Sequence, residues 1–135
     1  MSLKFKCHKI SEGCAEAEAI VSKDDIMFYL MKPETGEVIE PHHDLEGQSI
    51  AKKILVFPSG KGSSVVQADG LFQLNMHGNM PKGMIVKYPE TVLISSAIIM
   101  EVPMVDKVEE GFYDEIKTGD IVRINADEGF IEILR

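Results

Sequence analysis

The stretch that decides the fold is Lys53-Ile54-Leu55-Val56-Phe57-Pro58-Ser59-Gly60-Lys61-Gly62-Ser63-Ser64. It begins with a short, continuous apolar run, which is typical of a strand buried on both faces of a parallel sheet. A proline and two glycines follow and predict a turn. The next apolar residues recur at helical spacing and predict a helix that ends near His77-Gly78: Val65, Ala68, Leu71, Phe72 and, at its end, Asn75.

The same alternation continues through the middle of the chain. Residues 83–87 form a second apolar strand, and Pro89-Glu90 opens a second helix that runs to about Met100. Residues 102–105 predict a short strand, whose Pro103 places it at a sheet edge or a strand end. This order predicts a small parallel βαβα layer.

Both ends of the chain have β patterns. Residues 3–10 and 14–22 predict strands, and the alternation in the second places Ala15, Ala17, Ala19 and Val21 on one face. Residues 120–126 and 129–134 predict two more strands, joined by a turn at Asp127-Glu128. We expect the two ends to pair into a β layer packed with the parallel layer. The fold class is then α/β.

Length and charge limit the function classes. The 135 residues predict a single domain, 1–135, with a core that buries roughly two thirds of its unfolded surface. The formal charge of −8 argues against a nucleic-acid binder, which needs a basic patch for phosphates. No apolar run approaches the ~18 residues of a membrane span, and the N-terminus has no signal pattern, so we expect a cytoplasmic protein.

The chain has two cysteines, Cys7 and Cys14. Two thiols cannot supply a complete tetrahedral zinc or iron–sulfur site, so we interpret them as packing or surface thiols and assign no metal site to this chain. The other candidate ligands and bases are interpreted as solvated positions. They are the His42-His43 pair in a polar loop, His8, His77, and the acidic residues Asp106, Glu109, Glu110, Asp114 and Glu115.

The turn between the first buried strand and its helix is the best candidate site. Ligands of open α/β sheets bind at the carboxyl ends of strands, where helix N–H groups and the helix dipole favour anions. Lys61 adds a mobile cation, Gly62 allows close approach, and Ser63 and Ser64 offer hydroxyls. The pattern is not a P-loop, because a glycine follows Lys61. An anion site and a plain glycine-rich turn with a serine cap both remain open on these grounds.

Several segments together resemble the small subunits of the aconitase X family over nearly the whole chain. Residues 13–19 are similar to the opening strand of that family, and the turn Pro33-Glu34-Thr35-Gly36 follows in the same order. The pattern His43-x-Leu45-x-Gly47-x-Ser49-Ile50-Ala51 then leads into residues 53–64, the most specific block. Residues 97–106 and the late Thr118-Gly119-Asp120 also match.

The resemblance implies a swivelling β/β/α domain that works with a larger subunit. That subunit carries a 4Fe–4S cluster on its own cysteines, so this chain alone binds no cofactor. The implied reaction is the dehydration of 5-phosphomevalonate to trans-anhydromevalonate 5-phosphate, in the archaeal mevalonate route to isoprenoids. The implied proton acceptor is Ser63, by similarity to the Gly-Ser-Ser of aconitase swivel domains. Ser64, Gly62 and Lys61 are the implied substrate-binding residues.

Two alternatives remain open on the sequence. The small subunit of cis-3-hydroxyproline dehydratase resembles the same pattern. A non-catalytic interaction module with this fold is the second alternative, because residues 65–69 depart from the serines and glycines that usually follow the paired serines. The same departure leaves the choice between Ser63 and Ser64 open.

Overall fold

The computed structural model describes residues 2–135, and its main strands and helices follow the predicted order, except that the strand predicted at residues 3–10 is two strands. The strands and helices are β1 (Ser2–Lys6), β2 (His8–Ser11), β3 (Cys14–Val21), β4 (Met31–Lys32), β5 (Glu37–Val38), β6 (Ile54–Phe57), α1 (Ser64–Met76), β7 (Gly83–Val86), α2 (Thr91–Ile99), β8 (Met104–Asp106), α3 (Phe112–Glu115), β9 (Ile121–Asn125) and β10 (Phe130–Leu134). No helix among the described residues is long and apolar enough to cross a membrane.

Eight strands form one mixed sheet in the order β1-β10-β9-β3-β6-β7-β8-β2. Strand β3 joins its two halves, because its first residues pair antiparallel with β9 and its last residues pair parallel with β6. The parallel half is β3-β6-β7-β8, as the βαβα pattern predicts. The predicted pairing of the chain ends is confirmed, and these strands extend the parallel sheet through β3.

The outermost strands of this sheet, β1 and β2, are consecutive in the chain. A single residue, Cys7, separates them, and its N–H donates to the carbonyl of Gly129 at 2.9 Å. The sheet therefore curls until its two edges meet at Cys7. The residues inside this curl form one of two apolar cores, which includes Ile54, Val56, Ile85, Phe112, Val122, Ile124, Ile131 and Ile133.

The second core lies between the sheet and the helices. Along β6 the side chains alternate, so that Leu55 and Phe57 join the helix-side core while Ile54 and Val56 face the curl. The prediction of a strand buried on both faces is confirmed, since each residue of β6 is at most 1% exposed. Because β6 lies between both cores, the loop that follows it starts from a fixed point.

Helix α1 ends where predicted, with His77 as its C-cap, but the apolar residues whose spacing predicted the helix do not all lie on its buried face. Leu71 is buried, whereas Val65 is 79% exposed and Phe72 is 50% exposed. The face that packs inward consists of Gln67, Gly70, Leu71 and Leu74.

The reason is a close contact between α1 and an upstream loop. A Cβ placed on Gly70 would lie 2.5 Å from the backbone nitrogen of Tyr29 and 2.5 Å from the carbonyl carbon of Phe28. Backbone therefore packs directly on backbone, which only glycine permits at this point of the helix. This contact, with a loop more than thirty residues upstream, sets the rotation of α1 about its axis.

Candidate functional site

Residues 59–64 form a loop at the carboxyl end of β6 and lead into α1. The loop is held by Ile26, whose N–H donates to the carbonyl of Ser59 at 2.8 Å. The N–H of Lys61 donates in turn to the carbonyl of Ile26 at 2.9 Å. On the other side, the Ser59 hydroxyl donates to the carbonyl of Tyr88 at 2.6 Å. The base of the loop is therefore fixed to segments on both sides.

The two glycines of the loop are required for different structural reasons. Gly62 has a φ of +104°, a conformation that residues with a side chain rarely adopt. Gly60 has no positive φ, but a Cβ there would collide with Oε1 of Gln67. Gly62 therefore turns the chain, and Gly60 lets it pass close to α1.

Ser63 is the N-cap of α1. Its Oγ accepts a hydrogen bond from the N–H of Val66 at 3.3 Å, and its carbonyl accepts one from the N–H of Gln67 at 2.9 Å. Helix geometry gives the N–H groups of Ser64 and Val65 no partner within the helix. An exposed hydroxyl, two available amides and the positive end of the helix dipole are therefore together, an arrangement that suits a carboxylate.

Ser64 is the first residue of α1 and is exposed, like Ser63. Within residues 2–135 its side chain makes no hydrogen bond, whereas the Ser63 hydroxyl accepts one from the helix. The two hydroxyls thus differ electrostatically. Negative charge on the Ser63 oxygen would be stabilised directly by the Val66 amide.

Lys61 is not the mobile cation that the sequence suggested. Its Nζ lies 2.6 Å from Oε2 of Glu40, and the Glu40 side chain is 18% exposed. The second oxygen of Glu40 is buried and has no hydrogen-bond partner among the described residues. This ion pair ties the loop to residue 40 and neutralises most of the charge that Lys61 brings.

Gln67 is a site residue that the sequence reasoning missed. It is 4% exposed, on the inner face of α1, and its Nε2 donates to the carbonyl of Gly62 at 3.2 Å. Its position next to Gly60 and its bond to Gly62 hold both glycines against the helix. The only signal in the sequence was a polar residue beside an apolar stripe, which is ordinarily a solvated position.

Of the four histidines predicted to be solvated, His8, His42 and His77 are exposed, whereas His43 is not. His43 is buried, with Nδ1 accepting from the Leu45 N–H at 2.9 Å and Nε2 donating to the carbonyl of Asp25 at 2.9 Å. Both ring nitrogens are therefore used in holding a loop. His8 is exposed, as predicted, and its Nδ1 lies 2.7 Å from Oδ1 of Asp106, a partner that the sequence did not indicate.

The acidic residues are likewise not a uniform solvated face. Asp106 is 5% exposed and pairs with His8, while Glu109 accepts from the N–H of Lys6 at 2.9 Å. Glu115 pairs with Arg135. These carboxylates hold structural contacts, and the described part of the chain has no group of three or more His, Cys, Asp or Glu side chains placed to bind a metal ion.

The cysteines do not offer a metal site either. Cys14 is exposed at the start of β3, whereas Cys7 is half-buried and packs against the core inside the curl. Burial, and next the charge of Asp106, raise the pKa of the Cys7 thiol to about 11. The thiol is therefore protonated at neutral pH. Two cysteines, with no group of three or more candidate ligands among the described residues, do not fit a cluster held by this chain.

A cleft of about 390 Å³ opens nearby, at the carboxyl ends of β3 and β6. Its lining includes Lys23, Pro58, Lys87 and Tyr113. Burial, and next the charges of Asp106 and Tyr88, raise the pKa of Tyr113 to about 12. The cleft opens on the side of the curl, whereas Ser63 begins the helix that covers the opposite face of the sheet.

Comparison with known proteins gives concordant results. The family model described as the aconitase X swivel domain matches residues 4–133. The phosphomevalonate dehydratase small subunit of Methanosarcina acetivorans is 42% identical over 98% of this chain and 92% of its own. The protein of the same name from Thermococcus kodakarensis is 45% identical over 98% of this chain and 97% of its own.

A solved structure agrees with these relatives. A chain in the crystal structure of Thermococcus kodakaraensis aconitase X, in its holo form, superposes with a TM-score of 0.89. It is 45% identical, and the match covers 98% of this chain and 99% of that one. The match therefore extends over the curled half of the sheet, the parallel half and the loop between β6 and α1.

Proposed function

The chain belongs to the aconitase X swivel-domain family, and from that premise we propose that it is the small subunit of a phosphomevalonate dehydratase. The enzyme is a hydro-lyase of the mevalonate pathway that converts (R)-5-phosphomevalonate to trans-anhydromevalonate 5-phosphate. The observation that carries the proposal is the Gly62-Ser63-Ser64 turn. It places a hydroxyl and available amides at the N-terminus of α1, in a chain similar to these subunits from end to end.

The proposal requires a second, larger subunit. The relatives are named as small subunits, and the described residues of this chain hold no metal-ligating group. We therefore place the 4Fe–4S cluster of the enzyme on the large subunit. When bound there, the cluster supplies a Lewis acid for the hydroxyl that leaves.

The proton-transfer half of the reaction falls to Ser63. Acting as the alkoxide, its Oγ takes the proton from C2 of the substrate, the C2–H electron pair becomes the C2–C3 double bond, and the C3–O bond breaks to release hydroxide. The proton gained by Ser63 then passes to that hydroxide, which leaves as water and restores the alkoxide. A serine is a weak base unless its alkoxide is stabilised. The N–H of Val66, at 3.3 Å from Oγ, and the positive end of the helix dipole provide that stabilisation.

The neighbouring residues bind and orient the substrate carboxylate. The hydroxyl of Ser64 and the free amides of the first turn donate to its oxygens. Gly62, which has no side chain, lets the carboxylate approach the backbone. Lys61 acts through its ion pair with Glu40, which holds the loop in place, and contributes a smaller positive field than an unpaired lysine.

The departure from the family pattern after Ser64 does not favour a non-catalytic module. Residues 65–69 continue α1 without a break, and the N–H of Val66 makes the capping bond to Ser63. The replaced residues therefore preserve the geometry that the proposed chemistry needs.

The test is activity of the chain co-expressed with its large subunit, with the cluster assembled. We expect dehydration of 5-phosphomevalonate, and a fall in kcat of about 1,000-fold in Ser63→Ala. Ser64→Ala is the matched control, with an expected effect mainly on KM. Full activity of Ser63→Ala together with an inactive Ser64→Ala would move the base to Ser64. Turnover of cis-3-hydroxyproline instead of 5-phosphomevalonate would contradict the substrate assignment.

A further inference from the structure

Helix α1 has an apolar face that this chain leaves uncovered. The docking stripe, as we define it, consists of Val65, Ala68, Phe72 and Met76. At 100° per residue these positions fall within a sector about 80° wide. Val65 is 79%, Phe72 50% and Met76 65% exposed, and Ala68 is also exposed.

An ordinary surface helix turns its apolar residues inward and its polar residues outward. Helix α1 buries Leu71 and Leu74 in this way, but the apolar residues of the docking stripe stay exposed. In α1 the inner face includes a glutamine and a glycine, because the helix packs on the backbone of residues 28 and 29. The apolar stripe is left on the outside. A contiguous exposed apolar surface of this kind marks an interaction site.

The position of the docking stripe identifies what covers it. Val65 directly follows Ser64, and its own N–H belongs to the open N-terminus of α1. If Ser63 acts on a substrate held at a cluster of the large subunit, that subunit must approach this same helix end. Any surface that reaches Ser63 also lies against Val65, and the stripe continues from there for about 16 Å along the helix.

We propose that the docking stripe on α1 is the surface on which the large subunit seats. This inference rests on the proposed function, since that function supplies the partner. Phe72, the one aromatic residue of the stripe, is its anchor, as aromatic side chains dominate the energetics of such interfaces. Asp69 is exposed at its margin and lies at the polar rim.

A second exposed apolar pair provides a matched control. Ile98 is 52% and Ile99 is 77% exposed, at the C-terminus of α2. In a parallel βαβ unit the helix C-terminus lies at the opposite end of the sheet from the carboxyl ends of the strands. This pair is therefore distant from the loop at residues 59–64. It lies at the same end of the sheet as Met76 but belongs to α2 and is outside the docking stripe, and the proposal predicts that the large subunit does not cover it.

The experiment measures the dissociation constant between the isolated large subunit and variants of this chain. Phe72→Glu is expected to weaken the complex by about 30-fold or more, and Val65→Asp by a similar factor. Ile99→Glu, an equally exposed substitution, is expected to leave the constant within about threefold. Melting temperatures of the free variants, expected to be close to that of the unmodified chain, show that the fold is retained.

The outcomes separate this inference from the function on which it rests. Ser63→Ala should bind the large subunit normally and fail to turn over. Phe72→Glu should regain its kcat when the large subunit is present in excess, because the stripe contributes to docking and not to chemistry. A complex that forms normally with Phe72→Glu overturns the docking surface alone. Failure of the unmodified chain to bind any large subunit overturns both.

Discussion

The two strand–loop–helix units in the parallel half of the sheet have the same topology but differ in the charge of the side chain that caps the helix N-terminus. The unit β6–α1 ends its loop with Ser63, a neutral cap that accepts one hydrogen bond. The unit β7–α2 ends with Glu90, whose carboxylate accepts from the N–H of Val92 at 3.1 Å and of Leu93 at 2.8 Å. Both N-termini lie at the carboxyl ends of neighbouring strands.

The comparison shows how one of two equivalent positions becomes available to a ligand. In α2 the protein supplies its own anion, so the amides and the dipole are already satisfied. In α1 the cap is uncharged, and two N–H groups of the first turn have no hydrogen-bond partner within the helix. The loop before them contains two glycines and so has few side-chain atoms. The fold provides two helix ends, and the side chain at the cap decides which of them can receive a substrate carboxylate.

The largest effect is expected when α1 is given a carboxylate cap, the kind of cap that α2 has. Ser63→Asp places a carboxylate at the N-terminus of α1, which removes the hydroxyl that we propose as the proton acceptor and repels an anionic substrate. We expect kcat of the assembled enzyme to fall about 1,000-fold or more. The free energy of unfolding should hold or rise slightly, because aspartate is a good cap. Activity near that of the unmodified enzyme would remove the distinction between the two helix ends.

A smaller effect, on stability, is expected at Gly70. In Gly70→Ala the new methyl group meets the backbone of Phe28 and Tyr29, whereas α2 has an alanine, Ala97, among its buried residues. The free energy of unfolding should fall by about 1–3 kcal/mol. Urea unfolding measures this change in the free energy of unfolding. Its sign shows whether the methyl group collides with the backbone of residues 28 and 29. If the position were open, alanine would stabilise the helix by up to about 1 kcal/mol.

The smallest effect is expected from the reciprocal change at α2. Glu90→Ser keeps a capping hydroxyl but loses one hydrogen bond and the favourable charge at the helix end. In urea unfolding, the free energy of unfolding should fall by about 0.5–1 kcal/mol. This loss should be smaller in high salt, which screens the interaction between the carboxylate and the helix dipole. A loss of several kcal/mol that salt does not alter would mean that Glu90 has another role, for instance in supporting the loop at Gly60.

Much of this architecture follows from local pattern. The apolar run at residues 54–57, the glycine-rich turn and the two helices were predictable because burial on both faces and helix periodicity leave a direct trace in the sequence. The pairing of the chain ends followed from their alternation. The start of α2 was predicted at Pro89, two residues before Thr91, since glutamate is an uncommon N-cap and Pro89 suggested the first turn.

The candidate site was predictable in part. The loop, its glycines and the serine cap could be read from their order in the chain. The partners that hold them could not, because Glu40, Ile26 and Gln67 reach the loop through tertiary contacts. The exposed face of α1 was missed because its periodicity is that of a buried helix. Periodicity reports that a face will be covered, and not whether the covering surface belongs to the same chain.

The way the sheet is closed bears on how the protein is made. Strand β1 has its sheet partner in β10, with Ser2 opposite Leu134, and β2 has its partner in β8. During synthesis β1 cannot complete its pairing until residue 134 has left the ribosome. Contacts this distant in sequence make folding slow. The βαβα segment can form earlier, so the loop at residues 59–64 would take shape before the curl that supports its base is closed.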